Sequence, residues 1–326
     1  MSTAVITGIN GQDGSYLAEF LLDKGYTVVG LIRRTSSEDQ KLTNIEHLLK
    51  NQNLVLEDGD LTDSASIWRL VQDYRPDEFY NLAAQSHVGV SFTSPESTTE
   101  INATGVLNCL EAIRSLSPKT KLYQASTSEM FGDNMEVPQS ETTRFSPNSP
   151  YACAKVYAHN LVVNYRKAYG LFACSGILFN HESPRRGEQF VTRKITKAAA
   201  RIKLGLQEHL YLGNLDAKRD WGYAKEYVEG MHLMLQHGMA DDYVLATGET
   251  HTIRDFINYV SEAAGFNLME RVSVTSNNMR PSEVPLLLGD ASKAKSVLGW
   301  EAKIKAKELA KIMYEADLAK ELTHVK

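Results

Sequence analysis

Tyr151 and Lys155 stand four residues apart in SPYACAKVYAHN, at the start of a segment with helical spacing, so the two side chains share a face one turn apart. A free phenol, with a pKa of about 10, is too weak a base at neutral pH, and a neighbouring ammonium favours its ionised form. The pairing predicts a tyrosinate that takes a proton from an alcohol while a hydride leaves for an acceptor. Upstream, QASTSEMFG ends an apolar run and brings Thr127, Ser128 and Glu129 together. Thr127 can hydrogen-bond a sugar oxygen. Glu129 is a carboxylate that plain alcohol oxidation does not need.

The acceptor is indicated near the N-terminus. TAVIT reads as a buried strand and SYLAEFLLDKGY as a helix with Leu17, Phe20, Leu21 and Leu22 on one side, so the glycines of TGINGQDGSYL fall in a strand-to-helix turn. Such a turn lets a phosphate approach the backbone, and its N–H groups attract an anion. Gly8, Gly11, Gln12, Asp13 and Gly14 thus read as a pyrophosphate cradle, its first gap one residue longer than in G-x-G-x-x-G. After the second strand, where an NAD site has an acidic residue, GLIRRTSS has Arg33 and Arg34, whose guanidinium forks suit a 2′-phosphate and favour NADP. DGDLTD puts Asp60 and Leu61 at the adenine. NLAAQSH puts Leu82, Ala83, Ala84 and Ser86 beside the central phosphates and ribose.

Further strand-like runs are YTVVGLI, NLVLEDGD, DEFYNLAA, KLYQAST and LFACSGILFN, and helical periodicity is expected in each interval between them, as in SASIWRLVQDY and TGVLNCLEAIRSL. This alternation predicts an α/β, Rossmann-type doubly wound parallel sheet, with ligands at the carboxyl ends of its strands. After about position 180 the pattern loosens into loops, a strand at HLYLG and helices from Tyr223 and Thr252. The expected division is an NADP-binding domain over 1–179, with 216–248 and 286–300 returning to it, and a smaller interleaved nucleotide-sugar lobe within 180–326.

The 326 residues are 43% hydrophobic and 23% charged, the composition of a folded enzyme rather than a disordered chain. With no basic leader and no run of about 18 apolar residues, a cytoplasmic protein with no membrane partner is expected. Cys109, Cys153 and Cys174 include no C-x-x-C pair, so no disulfide framework and no metal site is expected, and all three read as buried small hydrophobes. The net charge of −5 argues against nucleic acid, while SPRRGEQFVTRKITK and DAKRD concentrate cations for a small anionic ligand.

These stretches together resemble the extended short-chain dehydrogenases/reductases and, within them, the GDP-mannose 4,6-dehydratases. GQDGSYL, NLAAQSHV, QASTSEMFG, NHESPRRG, FVTRKI, GNLDAKRDWG and RPSEV carry the resemblance through nearly the whole chain. It implies Thr127, Glu129, Tyr151 and Lys155 as the catalytic set, with His181 and Arg186 near the cofactor. It also implies that Ser86, Asn180, Val191, Lys194, Gly213, Arg219, Arg280 and Glu283 hold GDP-mannose, that bound NADP is regenerated in each cycle, and that the chain self-associates as a homodimer ahead of a homotetramer. Two departures stand out: Asn44 where the family has an arginine before Ile45-Glu46-His47-Leu48, and a shorter stretch between Gly265 and Arg280. Alternatives on the same scaffold are another nucleotide-sugar 4,6-dehydratase, a 4-epimerase or a 4-keto reductase, and outside enzymes an NADP-binding regulator.

Overall fold

The computed structural model describes residues 2–33, 42–276, 279 and 281–325. In chain order the first half runs β1 Thr3–Thr7, α1 Gln12–Asp23, β2 Thr27–Ile32, β3 Leu54–Asp58, α2 Ser64–Tyr74, β4 Glu78–Asn81, α3 Val88–Thr93, α4 Pro95–Thr99, α5 Gly105–Leu116, β5 Lys121–Thr127 and α6 Pro150–Tyr169. The second half runs β6 Ala173–Leu178, β7 Asn180–Glu182, α7 Val191–Lys203, β8 Leu210–Leu212, β9 Lys218–Arg219, β10 Trp221–Tyr223 and α8 Ala224–Gln236. It continues with β11 Asp242–Leu245, β12 His251–Thr252, α9 Ile253–Ala264, β13 Val272–Val274 and α10 Ala306–Val325.

A parallel sheet in the order β11-β6-β5-β4-β1-β2-β3 forms the centre. Alternation within its strands serves two helical layers. Ala4, Ile6 and Val28 pack with Leu17 and Leu21 of α1 and with Val228 and Met231 of α8. Val5, Val29 and Phe79 pack with Ile67 of α2, Leu110 of α5 and Val162 of α6. Both faces are therefore covered, as an all-parallel sheet requires. The strand order reverses between β1 and β4, so the carboxyl ends of these strands open a crevice at that switch point.

A separate apolar cluster builds the second lobe from Ile195 and Ala199 of α7, Phe256 and Val260 of α9, and Leu309 and Met313 of α10. Helix α7 lies where loops were expected, and α10 falls in a stretch to which the sequence reading assigned no element. A second correction concerns the connection from β2 to β3. Helical periodicity was expected in every interval, but residues 42–53 contain only the 3₁₀ turn Glu46–Leu48, with Ile45 fully buried beside it. A third concerns Cys153, which is exposed on α6, while Cys109 and Cys174 are buried. Among the described residues no helix is long and apolar enough to cross a membrane, and no cluster of His, Cys, Asp or Glu could hold a metal ion.

Candidate active site

The glycine turn decides what can lie at the switch point. Gly8 has φ +70°, a conformation that costs a residue with a side chain about 1–2 kcal/mol. A Cβ on Gly14 would stand 2.3 Å from Gly8 O, so α1 can lie this close to the turn only without one. The N-cap is Gly11, with no side-chain cap, which leaves first-turn N–H groups to an anion. These features fit a dinucleotide pyrophosphate. Gln12 and Asp13 start α1; Gln12 Nε2 donates to His181 O at 3.0 Å and ties the turn to β7. Ala83 backs the turn, its own N–H donating to Thr7 Oγ1 at 3.0 Å.

Strand β5 ends at Thr127, whose side chain accepts from Glu129 N–H and caps the turn Ser128–Phe131. The cap turns Glu129 inward, 7% exposed. Ser149 caps α6 by accepting from Ala152 N–H at 3.1 Å, so Tyr151 and Lys155 occupy its first turns, both buried. Burial and the nearby Glu129 carboxylate push the Tyr151 phenol up to about 12, against a hydrogen bond to Thr127 that favours ionisation. Burial pulls Lys155 down to about 8, and its ammonium donates to Ala125 O at 3.0 Å. The expected tyrosinate is thus corrected. At neutral pH the pair is phenol and ammonium, because burial penalises the phenolate more than its neighbours favour it.

A cleft of about 610 Å³ collects Thr127, Glu129, Tyr151 and Lys155 with Asp13, Leu82, Ala84 and Ser86 on the cofactor side. His181 and Arg186 line it as well. Each carries its own partners: His181 faces Asp13 Oδ2 at 2.8 Å and Phe179 O at 2.7 Å, and stacks on Tyr227 at 4.8 Å. Burial opposes charge on both His181 and Asp13, yet each partner outweighs it, so His181 is raised and Asp13 lowered. Arg186 Nε pairs with Glu182 Oε2 at 3.1 Å, and its guanidinium lies 3.6 Å from the Phe190 ring centre.

The same cleft is lined by Asn180, Val191, Lys194, Gly213, Arg219 and Glu283. Burial lowers Lys194. Arg219 is spent largely within the protein, donating to Glu283 Oε1 and to Val284 O, each at 2.7 Å, rather than standing bare before a diphosphate. Arg34 and Arg280 lie outside the described residues. Arg33, exposed, follows β2 at its carboxyl end. Asp60 and Leu61 follow β3 away from the cleft walls; Leu61 is buried and Asp60 Oδ1 accepts from Thr62 at 2.8 Å. The lining also includes His87, Glu182 and Phe190, which the sequence reading did not single out; His87 sits one residue beyond Ser86, so its neighbour was the available signal.

The model of the GDP-mannose 4,6 dehydratase family matches residues 5–313. The Arabidopsis thaliana protein named GDP-mannose 4,6 dehydratase 1 is 54% identical over 323 residues, covering 97% of this chain and 89% of that protein. A GDP-mannose 4,6-dehydratase of Sinorhizobium fredii (strain HH103) is 52% identical over 340 residues, covering 97% and 96%. The structure of RMD from Pseudomonas aeruginosa complexed with NADPH superposes with a TM-score of 0.81 at 23% identity, covering 98% of this chain and all of that one, a likeness of fold. A glycine turn made for a pyrophosphate, a Thr-Glu-Tyr-Lys quartet in one cleft and identity above one half along nearly the full length have one reading: this chain belongs to the GDP-mannose 4,6-dehydratase family.

Proposed function

We propose that this protein converts GDP-mannose to GDP-4-keto-6-deoxymannose with tightly bound NADP, supplying deoxyhexose synthesis of the fucose or rhamnose type. Family membership supports the substrate. The observation that carries the chemistry is Glu129, a buried carboxylate beside Thr127 and Tyr151. A 4-epimerase or 4-keto reductase has no step at carbon 5 that needs one. For the cofactor, the glycine turn supports a dinucleotide and Arg33 after β2 supports NADP.

Bound NADP supplies the redox chemistry, accepting hydride from carbon 4 of the hexose and giving it back at carbon 6. Tyr151 passes on the proton of the carbon 4 hydroxyl, with Thr127 holding the phenol and Lys155 setting the field around it. The resulting ketone acidifies the proton on carbon 5. Glu129 removes it and then delivers a proton to the carbon 6 hydroxyl, which departs as water. Carbon 5 regains a proton as carbon 6 becomes a methyl group, so one water is lost and no oxidant is consumed. A cleft filled by cofactor and sugar keeps bulk water from the unsaturated intermediate.

In this reading residues 1–179, with 216–248 and 286–300, form the NADP lobe, and most of 180–326 the nucleotide-sugar lobe; β11 joining β6 and Trp300 packing into the α1–α8 cluster support it. Self-association as a homodimer is supported by α6, which leaves Tyr157 49% exposed beside the site, and light scattering giving a monomer mass would refute it. Three free cysteines suit the reducing cytoplasm. The deciding experiment incubates purified protein with NADP⁺ and a panel of nucleotide sugars and reads product masses. GDP-mannose losing one water is the expected result, and turnover of another sugar, or of none, refutes the assignment.

A further inference from the structure

His181 is fixed between two groups that accept hydrogen bonds. Its Nδ1 meets Phe179 O at 2.7 Å and its Nε2 meets Asp13 Oδ2 at 2.8 Å. A neutral imidazole has one N–H, so whichever tautomer it takes, a bare lone pair is left against an oxygen. Two acceptors so close repel. The geometry therefore calls for one proton more than a neutral ring and a carboxylate hold between them, which makes the pair an imidazolium against Asp13.

The surroundings keep the two in register. Gln12 Nε2 donates to Asp13 Oδ1 and to His181 O, each at 3.0 Å, and Gln12 Oε1 accepts from the Ser183 hydroxyl at 2.8 Å. The ring lies nearly flat on Tyr227, their planes 15° apart. Burial opposes the imidazolium, yet Asp13 holds it above its ordinary range. Of the other ionisable groups around the pair, the Arg186 guanidinium stays cationic at every working pH. Burial pushes the phenols of Tyr123 on β5, Tyr151 on α6 and Tyr227 on α8 upward, so they stay neutral. Glu129 and Glu182 add carboxylates to the same cleft. Lys155, near 8, and Lys194, lowered by burial, lose charge on the alkaline side and must be separated from the pair.

Asp13 stands in the first turn of α1, the turn that fits a pyrophosphate. We propose that His181 and Asp13 form a proton-gated latch for the cofactor: their shared proton cancels the carboxylate at the pyrophosphate turn, and its release to solvent at alkaline pH leaves a negative charge there that loosens NADP. Only a proton moves. Linkage makes the effect reciprocal, so bound NADP tightens the pair's hold on its proton by the same factor. The proposal rests on the NADP reading, and binding measured without turnover separates the two.

The test titrates the full chain with NADP⁺ from about pH 7 to about pH 10 in wild type, Asp13→Asn, His181→Phe and the double variant. Asparagine keeps the shape of Asp13 without its charge; phenylalanine keeps a ring on Tyr227 without the proton. A charge at this range moves a pKa by about 1–3 units, so across the range wild type should lose at least tenfold more affinity than Asp13→Asn, whose remaining slope belongs to the lysines. His181→Phe leaves Asp13 uncompensated, so it should bind weakly at about pH 7, and adding Asp13→Asn should restore most of the loss. Nitrogen NMR of wild-type histidines, which needs no variant to fold, should show one imidazolium persisting well above the ordinary range. Parallel pH profiles in wild type and Asp13→Asn overturn the proposal, as does a double variant that binds no better than His181→Phe, or a spectrum in which every ring is neutral on the alkaline side of about pH 7. Wild type that binds no dinucleotide overturns both readings. Wild type that prefers NAD overturns the NADP reading alone, and the same profiles taken with NAD then judge the pair.

Discussion

Gly14→Ala sets two effects of known size against each other. In an open helix the change stabilises by about 1 kcal/mol, because glycine is the poorer helix former. In α1 the new Cβ would lie 2.3 Å from Gly8 O, 2.7 Å from Ile9 Cα and 2.9 Å from Gly8 C. All three are backbone atoms, so no rotamer relieves the contact. Ordinary contact begins at 3.4 Å, so the turn and the helix must part by about 1 Å. Overpacking of this kind costs about 1–3 kcal/mol, and the fixed backbone puts this case near the top, leaving a net loss of about 1–2 kcal/mol. The same movement withdraws α1 N–H groups from a pyrophosphate. Each hydrogen bond to a charged group is worth about 1.5–3 kcal/mol, so NADP affinity should fall at least tenfold. The assay is NADP retained through purification, with melting temperature measured with and without added NADP. Gly238→Ala is the control, since nothing lies within 4 Å of its Cβ, and it should behave as wild type. A Gly14→Ala protein that keeps its NADP and melts at or above the wild-type temperature would mean helix propensity wins and the cradle argument fails.

Glu129→Gln keeps size and removes the exchangeable proton, so dehydration should fall by about 10²–10⁴-fold or more while carbon 4 oxidation persists as NADPH absorbance, with little solvent deuterium entering carbon 5; near-normal dehydration would require another base. Lys155 is depressed from 10.5 to about 8, so between those pH values the unfolded chain binds a proton that the folded one lacks, and stability rises with pH across that window. Below it the burial penalty, roughly 3 kcal/mol, is fully present, so Lys155→Met should melt higher than wild type at neutral pH, lose that rise and lose activity, and an unchanged melting temperature would contradict the burial argument. Replacing Arg33 and Arg34 with alanine should weaken NADP far more than NAD; equal losses in a binding titration would remove the basis for cofactor choice.

The sheet was readable because its strands are short apolar runs whose alternate residues meet different helices, and the catalytic pair because four-residue spacing fixes a shared helix face whatever surrounds it. Helix α7 escaped notice for a physical reason. Its buried face is built from Ile195 and three consecutive alanines, a weak apolar signal among lysines and arginines. Strands β9 and β12 have two residues each, too few to alternate. The pairing of Arg219 with Glu283 spans 64 positions, and that of Asn102 with Gln85 depends on a π-helical turn that no local pattern announces. Asn44, where the chain departs from the family pattern, donates to Asn10 O at 3.1 Å and so braces the extra residue of the glycine turn, a contact invisible until the two loops meet.

Electrostatics in the cleft follow one rule. A buried guanidinium or imidazolium without a partner would cost several kcal/mol, and here Asp13 meets His181, Glu182 meets Arg186 and Glu283 meets Arg219. An incoming diphosphate therefore competes with carboxylates already in place, which lowers raw affinity and demands correct geometry before charge is released to it. Tyr151 and Lys155 obey the same logic. A phenol near 12 beside an amine near 8 reverses their ordinary order, so the first proton lost from the pair belongs to the lysine. Burial thus works against a free tyrosinate in the cleft. Activation has to be coupled to filling the cleft, when the hydroxyl proton and the phenol proton can move together and no isolated charge is left in a desolvated site.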